Sequence, residues 1–388
     1  MSKIILPFFC LLSAAVSVVC GQTAQPGAEC TEEYFPLLKE RRVAVMTNHT
    51  GMVGNEHLVD ILQRKGVNLT VIFSPEHGFR GNADAGQHVA DSIDGKTGIP
   101  VYSLYGNGHL GKPKNEHLKL FDVMLVDIQD VGLRFYTYYV TVVKLMDACS
   151  EHNLPMILLD RPNPNGHCTD GPVLDMKHKS GVGWLPIPVM HGMTLGELMQ
   201  MVNGEKWLTG GRICKLTVVK CRNYTHNTVY SLPVPPSPNL PNMKSVWLYP
   251  SVCLFEGTQV SLGRGTDFPF QVYGHPDMKD CSFGFTPQSK PGARRPPLMG
   301  KRCCGVDLRN LSDKEIREKG FDLSYVIDAY QKLNIGDAFF TPFFEKLTGA
   351  DYIRTMIKEG KTAAEIRMVW QEDVEKFKRQ RLPYLLYE

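Results

Sequence analysis

The sequence is short of the signatures that mark nucleotide and metal enzymes. No G-x-G-x-x-G follows its first apolar run, where "TNHTGMVGNEH" spaces its glycines wrongly for a dinucleotide turn, and no G-x-x-x-x-G-K-[ST] occurs anywhere. No C-x-x-C pair stands with histidines at zinc spacing, so no metal is expected. Excess charge is nearly absent: a formal net charge of +3 over 388 residues gives no electrostatic case for nucleic acid as a partner. No apolar run beyond the N-terminus is long enough to span a membrane. There is also no G-x-S-x-G elbow, which argues against an esterase or amidase built on a serine nucleophile.

What remains is a globular composition, 43% hydrophobic and 21% charged, on a chain long enough for two domains with a cleft between them. The opening "MSKIILPFFCLLSAAVSVVCGQ" has one lysine, an apolar core and then small residues, the layout of a secretory signal peptide over residues 1–21. A membrane anchor is the rival reading, but the uncharged stretch is short and no stop-transfer charges follow. The expected location is therefore secreted or periplasmic. Past the leader lie Cys30, Cys149, Cys168, Cys214, Cys221, Cys253, Cys281, Cys303 and Cys304. In an oxidising compartment some of these pair, with Cys214–Cys221 and Cys281 to Cys303 or Cys304 as candidates, and the odd number leaves at least one unpaired. Sequons at Asn48, Asn68, Asn223 and Asn310 matter only where the host glycosylates.

Five short apolar runs alternate with helix-like stretches: "RRVAVMT", "LTVIFS", "IPVYSL", "VMLVD" and "MILLD". They are nearly continuous and β-branched, as strands covered on both faces are. Between them "EHLVDILQRKG" and "TYYVTVVKLMDACSEHN" carry one-sided apolar spacing. The fold expected is α/β, a Rossmann-like, doubly wound, mainly parallel sheet over residues 28–204, with a smaller α/β domain over 205–388. Thr194 with Glu197 three residues on is a capping box, and proline-rich stretches follow the helix it starts. Near the C-terminus Ile366, Val369, Trp370, Val374 and Phe377 form one helical stripe that reads as core.

Open parallel sheets bind ligands beyond the carboxyl ends of their strands, and the polar clusters gather there. "SPEHGFRG" presents Glu76, His77 and Arg80 directly after the second run. Glu76 suits acid or base work if its surroundings tune it; the plainer reading is a cap on the next segment. "DIQDVGLRFYTYY" brings Asp127, Asp130, Arg134 and Tyr136, an assortment that suits a polyhydroxylated ligand, with acids and a guanidinium for hydroxyls and aromatic faces for a sugar ring. "DRPNPNG" adds Asp160, Arg161 and Asn163 on a rigid turn. In the second half "FEGTQVSLGRGTDFPFQVYGHP" supplies Glu256 and Arg264 among closely spaced glycines, as a loop facing the sheet edge.

These segments, together with "VAVMTNHTG", "TGIPVYSLYG", "PSPNLPN" and "FKRQRLPYLLY", run in order over nearly the whole mature chain and resemble a family of exported proteins represented by exo-acting β-N-acetylmuramidases. The resemblance implies a cleft between a Rossmann-like domain and a smaller one, and removal of non-reducing terminal N-acetylmuramic acid from peptidoglycan-derived saccharides; with the nucleotide motifs missing, no cofactor is expected. Glycoside hydrolysis normally needs one carboxylic acid and a second carboxylate. Glu76 is the candidate acid, with Asp127, Asp130 and Glu256 as candidates for the second role. His77, Arg80, Arg134, Tyr136, Asp160, Arg161, Asn163 and Arg264 are the candidate binding residues, and Arg134 or Arg264 can pair the lactyl carboxylate of muramic acid. One position departs from the expected pattern: Gln87 follows "DAG" where a glutamate is expected. It is the sequence support for an alternative, a non-catalytic binder of wall fragments with the same fold.

Overall fold

A computed structural model describes residues 23–76, 78–79, 91–104, 111–279 and 281–388. Its first half is built on a seven-stranded sheet: β1 (Val43–Thr47), β2 (Leu69–Ser74), β3 (Ser92–Ile93), β4 (Pro100–Ser103), β5 (Val123–Asp127), β6 (Met156–Leu159) and β7 (Leu216–Val219). The order is β3-β4-β2-β1-β5-β6-β7, and every pair is parallel except β3 with β4. All five apolar runs are strands of this sheet. Val43, Val45, Ile72, Leu125 and Ile157 fill one face, while Ala44, Met46, Val71, Met124 and Leu158 fill the other. Alternate side chains of a strand point to opposite faces, so a strand covered on both sides must be apolar throughout. The doubly wound α/β architecture follows from that coverage.

The division expected after residue 204 falls inside this sheet, because β7 lies beyond it and closes the edge beside β6. The second lobe is smaller. It contains an antiparallel sheet of β8 (Val272–His275), β9 (Phe283–Phe285) and β10 (Cys303–Asp307) in the order β8-β10-β9, with helices that end in Ala363–Arg381. That last helix buries Ile366, Trp370, Val374 and Phe377; Val369, expected in the same stripe, faces solvent. Cys281 is bonded to Cys304, tying the segment before β9 to β10. Cys214 and Cys221 are not joined; both are buried thiols. Among the described residues no helix is long and apolar enough to cross a membrane.

The lobes share one apolar core and are also fastened by buried polar groups. Arg134, expected to face a ligand, is fully enclosed instead. Its Nη1 donates to the carbonyls of Pro172 (2.7 Å) and Ile187 (3.0 Å), and its Nη2 to those of Leu347 (2.8 Å) and Thr348 (2.7 Å), the last two in the second lobe. Burial pushes its pKa down to about 10. Gly349, which ends the helix Phe344–Thr348 at φ 72°, leaves room for this guanidinium, since a Cβ there would stand 2.7 Å from Nη2. Asp160, also expected at a ligand, is a second fastening. Its carboxylate accepts from the Thr194 hydroxyl (2.6 Å), the Gly196 N–H (2.8 Å) and the Tyr387 hydroxyl (2.7 Å). The C-terminal tail is thereby held against the helix Leu195–Gly204, whose capping box is formed as the spacing predicts. Glu197 of that box also accepts from the backbone N–H of Leu386 at 2.7 Å.

Replacing Arg134 with Met leaves four buried carbonyls without their shared donor. Denaturant unfolding should show a loss of about 3–5 kcal/mol, and Lys should not rescue it because one ammonium cannot span the fork. A pH effect comes from Asp130, whose buried Oδ1 accepts from the Gly132 N–H at 2.7 Å. Burial raises its pKa to about 7, and that of Asp160 to about 6. The folded carboxyls keep protons that an unfolded chain releases near pH 4, so stability falls as pH rises from about 4, by up to about 1.4 kcal/mol per unit for each group, until about pH 6 for Asp160 and about pH 7 for Asp130. Asp130→Asn should flatten that fall and leave the variant more stable than the parent above pH 7, as read by denaturant unfolding across pH.

Candidate active site

The chain leaves β2 at Ser74, and Pro75, which has no N–H, ends the ladder. The Gly78 N–H closes the turn on the Pro75 carbonyl (3.1 Å) with φ 75°, a conformation that suits glycine. Glu76 sits on this turn at the carboxyl edge of the sheet, half-buried, and the Thr137 hydroxyl donates to its Oε2 at 2.9 Å. Thr137 is the N-cap of the helix Tyr138–Glu151 and makes no side-chain cap bond; its hydroxyl serves the carboxylate instead.

Glu76 opens into a cavity of about 310 Å³ between the lobes. From the sheet edge come Tyr136, Thr137 and Tyr138; from the second half come Asn239, Tyr249, Glu256, Arg264 and Phe270. The Tyr136 hydroxyl donates to the Pro236 carbonyl (2.8 Å), which fixes the aromatic wall against "PSPNLPN". Asn48 of "TNHTG" is buried and donates from Nδ2 to the Tyr138 hydroxyl (2.9 Å), so this sequon is enclosed structure. Across the cavity Arg264 donates to Oε1 of Glu256 from both Nε (2.9 Å) and Nη2 (2.6 Å), and its guanidinium lies 5.0 Å from the Phe270 ring centroid. Phe270 holds a left-handed backbone, φ 60°, an unfavourable conformation for an aromatic residue that packing here maintains.

Of the candidate residues, Glu76, Tyr136, Glu256 and Arg264 are brought together. The others within the described residues have different partners. Asp127 and Arg161 form a buried ion pair, Nε to Oδ1 2.6 Å and Nη2 to Oδ2 2.9 Å, and Arg161 also holds the Met52 carbonyl. Asn163 donates to the Met193 carbonyl and accepts from the Asn165 N–H, both at 2.8 Å, which builds the "DRPNPNG" turn. Asp130 binds its own loop, while Arg134 and Asp160 fasten the fold as described above. His77, Arg80 and Gln87 lie outside the described residues. Sequence reading missed Thr137, Tyr249 and Phe270. Thr137 and Phe270 stand in motifs already singled out, whereas Tyr249, from the helix Met243–Val252, reaches the cavity only through the closure of the second lobe. Among the described residues, no group of three or more His, Cys, Asp or Glu is placed to hold a metal ion. A larger hollow of about 660 Å³ lies beside the last helix, but its Asp175, Asp351 and Asp373 are taken up by Lys177 and Lys376.

The chain is similar to known proteins over most of its length. The family model described as exo-beta-N-acetylmuramidase NamZ, N-terminal, matches residues 43–244, and its C-terminal counterpart matches residues 247–387. The peptidoglycan beta-N-acetylmuramidase NamZ of Bacillus subtilis (strain 168) is 39% identical over 375 residues, covering 92% of this chain and 89% of that protein. Two crystal structures of DUF1343 family proteins from Bacteroides fragilis NCTC 9343 superimpose on it. One is 61% identical with a TM-score of 0.89, covering 95% of this chain and 99% of that one. The other is 30% identical with a TM-score of 0.77, covering 94% and 99%. Matched in both halves and at this identity to a curated glycoside hydrolase, the chain belongs to the exo-β-N-acetylmuramidase NamZ family.

Proposed function

We propose that the protein is an exo-acting glycoside hydrolase that releases terminal N-acetylmuramic acid from the non-reducing end of peptidoglycan fragments, and that it acts outside the cytoplasm once residues 1–21 are removed. The observation that carries the reading is the meeting of Glu76 and Glu256 in one small cavity walled by Tyr136, Tyr249 and Phe270. Two carboxylates are the usual machinery of glycosidic cleavage, and aromatic faces suit a pyranose ring. The volume stands at the low end of ligand pockets, roughly 300–1,000 Å³, which fits one terminal sugar better than a run of them.

In this reading Glu76 protonates the glycosidic oxygen as the bond to the leaving sugar breaks, and the Thr137 hydroxyl fixes the carboxyl that does so. Glu256 is the second carboxylate, acting on water or on the anomeric carbon. Arg264, oriented by Glu256, pairs the lactyl carboxylate that distinguishes muramic acid from glucosamine. The Bacillus relative's named activity supports the substrate class.

Glu76→Gln keeps the size of the side chain and the acceptor for Thr137 but cannot give up a carboxyl proton. Release of muramic acid from a synthetic disaccharide should fall by about 10²–10⁴-fold with unchanged thermal unfolding; undiminished turnover would remove Glu76 from the mechanism. Arg264→Met should narrow the preference for muramides over the matching glucosaminides by roughly 10–100-fold, a hydrogen bond to a charged group being worth about 1.5–3 kcal/mol. An equal loss on both substrates would assign Arg264 to holding Glu256 alone.

A further inference from the structure

A second cluster stands at the rim of the same cavity. Val182, which lines it, is at the tip of a tight turn closed by two backbone bonds between Ser180 and Gly183, 2.8 and 3.2 Å. The residues flanking that turn, Lys179 and Trp184, come together there: the Lys179 ammonium lies 4.0 Å from the indole centroid. Lys144, from the helix Tyr138–Glu151, brings a second ammonium to 4.6 Å of the same ring. The Trp184 backbone N–H donates to the Tyr139 hydroxyl at 3.0 Å, which fixes the turn to the helix that begins at the cavity.

Among the described residues, the two cations stand close together here without a balancing charge. Lys112 and Lys177 reach Glu151 and Asp351, yet neither Lys144 nor Lys179 is paired with a carboxylate among the described residues. Burial, and then the charge of Lys179, lower the pKa of Lys144. Two ammonium groups held over one indole repel each other and are only partly compensated by its π face. An anion placed between them would relieve that repulsion and gain two charge-assisted hydrogen bonds. Lys179 and Trp184 are within three residues of Val182, at most about 10 Å of chain, so the anion would sit just outside the cavity.

We infer that Lys144, Lys179 and Trp184 form a subsite for a carboxylate on the leaving portion of the substrate, the lactyl group of the next muramic acid along a glycan. The inference rests on the function proposed above and extends it from the terminal sugar to the length of the saccharide. Trp184 offers a face for a sugar ring as well as a platform for the two cations.

The test uses the full chain and two substrates that differ in the second muramic acid. One is the disaccharide of N-acetylmuramic acid on N-acetylglucosamine, whose leaving sugar is neutral; the other is the tetrasaccharide that repeats this unit. With Lys144→Met and Lys179→Met combined, KM for the tetrasaccharide should rise about 10-fold or more, and KM for the disaccharide should stay within about twofold. A tetrasaccharide with its inner lactyl carboxylate amidated should behave as the disaccharide does. Equal changes on all three substrates, or none, would overturn the subsite, and an effect confined to a tetrasaccharide carrying a stem peptide would overturn the lactyl assignment. If the unaltered protein releases muramic acid from neither substrate, the proposed function fails. The subsite is then read by calorimetric titration with the tetrasaccharide, where failure of the two substitutions to weaken binding would overturn it.

Discussion

One enclosed guanidinium holds the architecture to its cleft. Arg134 lies where the loop after the sheet's fifth strand meets the second lobe, and it satisfies four backbone carbonyls drawn from both. Loops buried between lobes leave carbonyls that neither sheet nor helix can serve, and a planar fork with five donors is the side chain that can serve several at once. With that junction fixed, Tyr136 and Thr137, two and three residues further on, face the cavity at set positions. Placement of the site thus depends on a residue that does not line it.

The same motif shows what a sequence can and cannot carry. The apolar runs were legible as strands because burial on both faces forces continuous hydrophobicity, and because runs so short, β-branched and bounded by polar residues favour strands over a buried helix. The seventh strand, Leu216–Val219, was not read, since as an edge strand only its final residue is fully buried. The charged residues were harder. Arg134 and Glu76 both stand at the carboxyl edge of the sheet, where a ligand is expected, but one turns inward to backbone carbonyls and the other outward to the cavity. Spacing along the chain does not encode that choice. Asp127, Asp160 and Arg161 show the same ambiguity, resolved by partners as distant in sequence as Tyr387.

The cavity joins elements made at different points along the chain. Its sheet-side wall is stiffened by Asn48, Tyr136 and Tyr138, through hydrogen bonds that reach the Pro236 carbonyl. Its far wall carries an ion pair, Glu256 with Arg264, together with a phenylalanine in strained backbone. Rigid aromatic walls and a preoriented charge pair reduce what must be ordered when a sugar enters, and that is where binding energy is most easily lost.

The clasp of the C-terminal tail bears on how the protein reaches this state. The Leu386 N–H and the Tyr387 hydroxyl complete the hydrogen bonding of Glu197 and Asp160, two carboxylates buried in the first lobe, and the Glu388 carbonyl accepts from the His226 N–H. Until residues 386–388 have been made, Glu197 keeps only the Thr194 N–H and the His226 ring, and Asp160 only the Thr194 hydroxyl and its neighbouring N–H groups. The hydrogen bonding of carboxylates made early on the ribosome is thus completed by groups made at least 189 residues later.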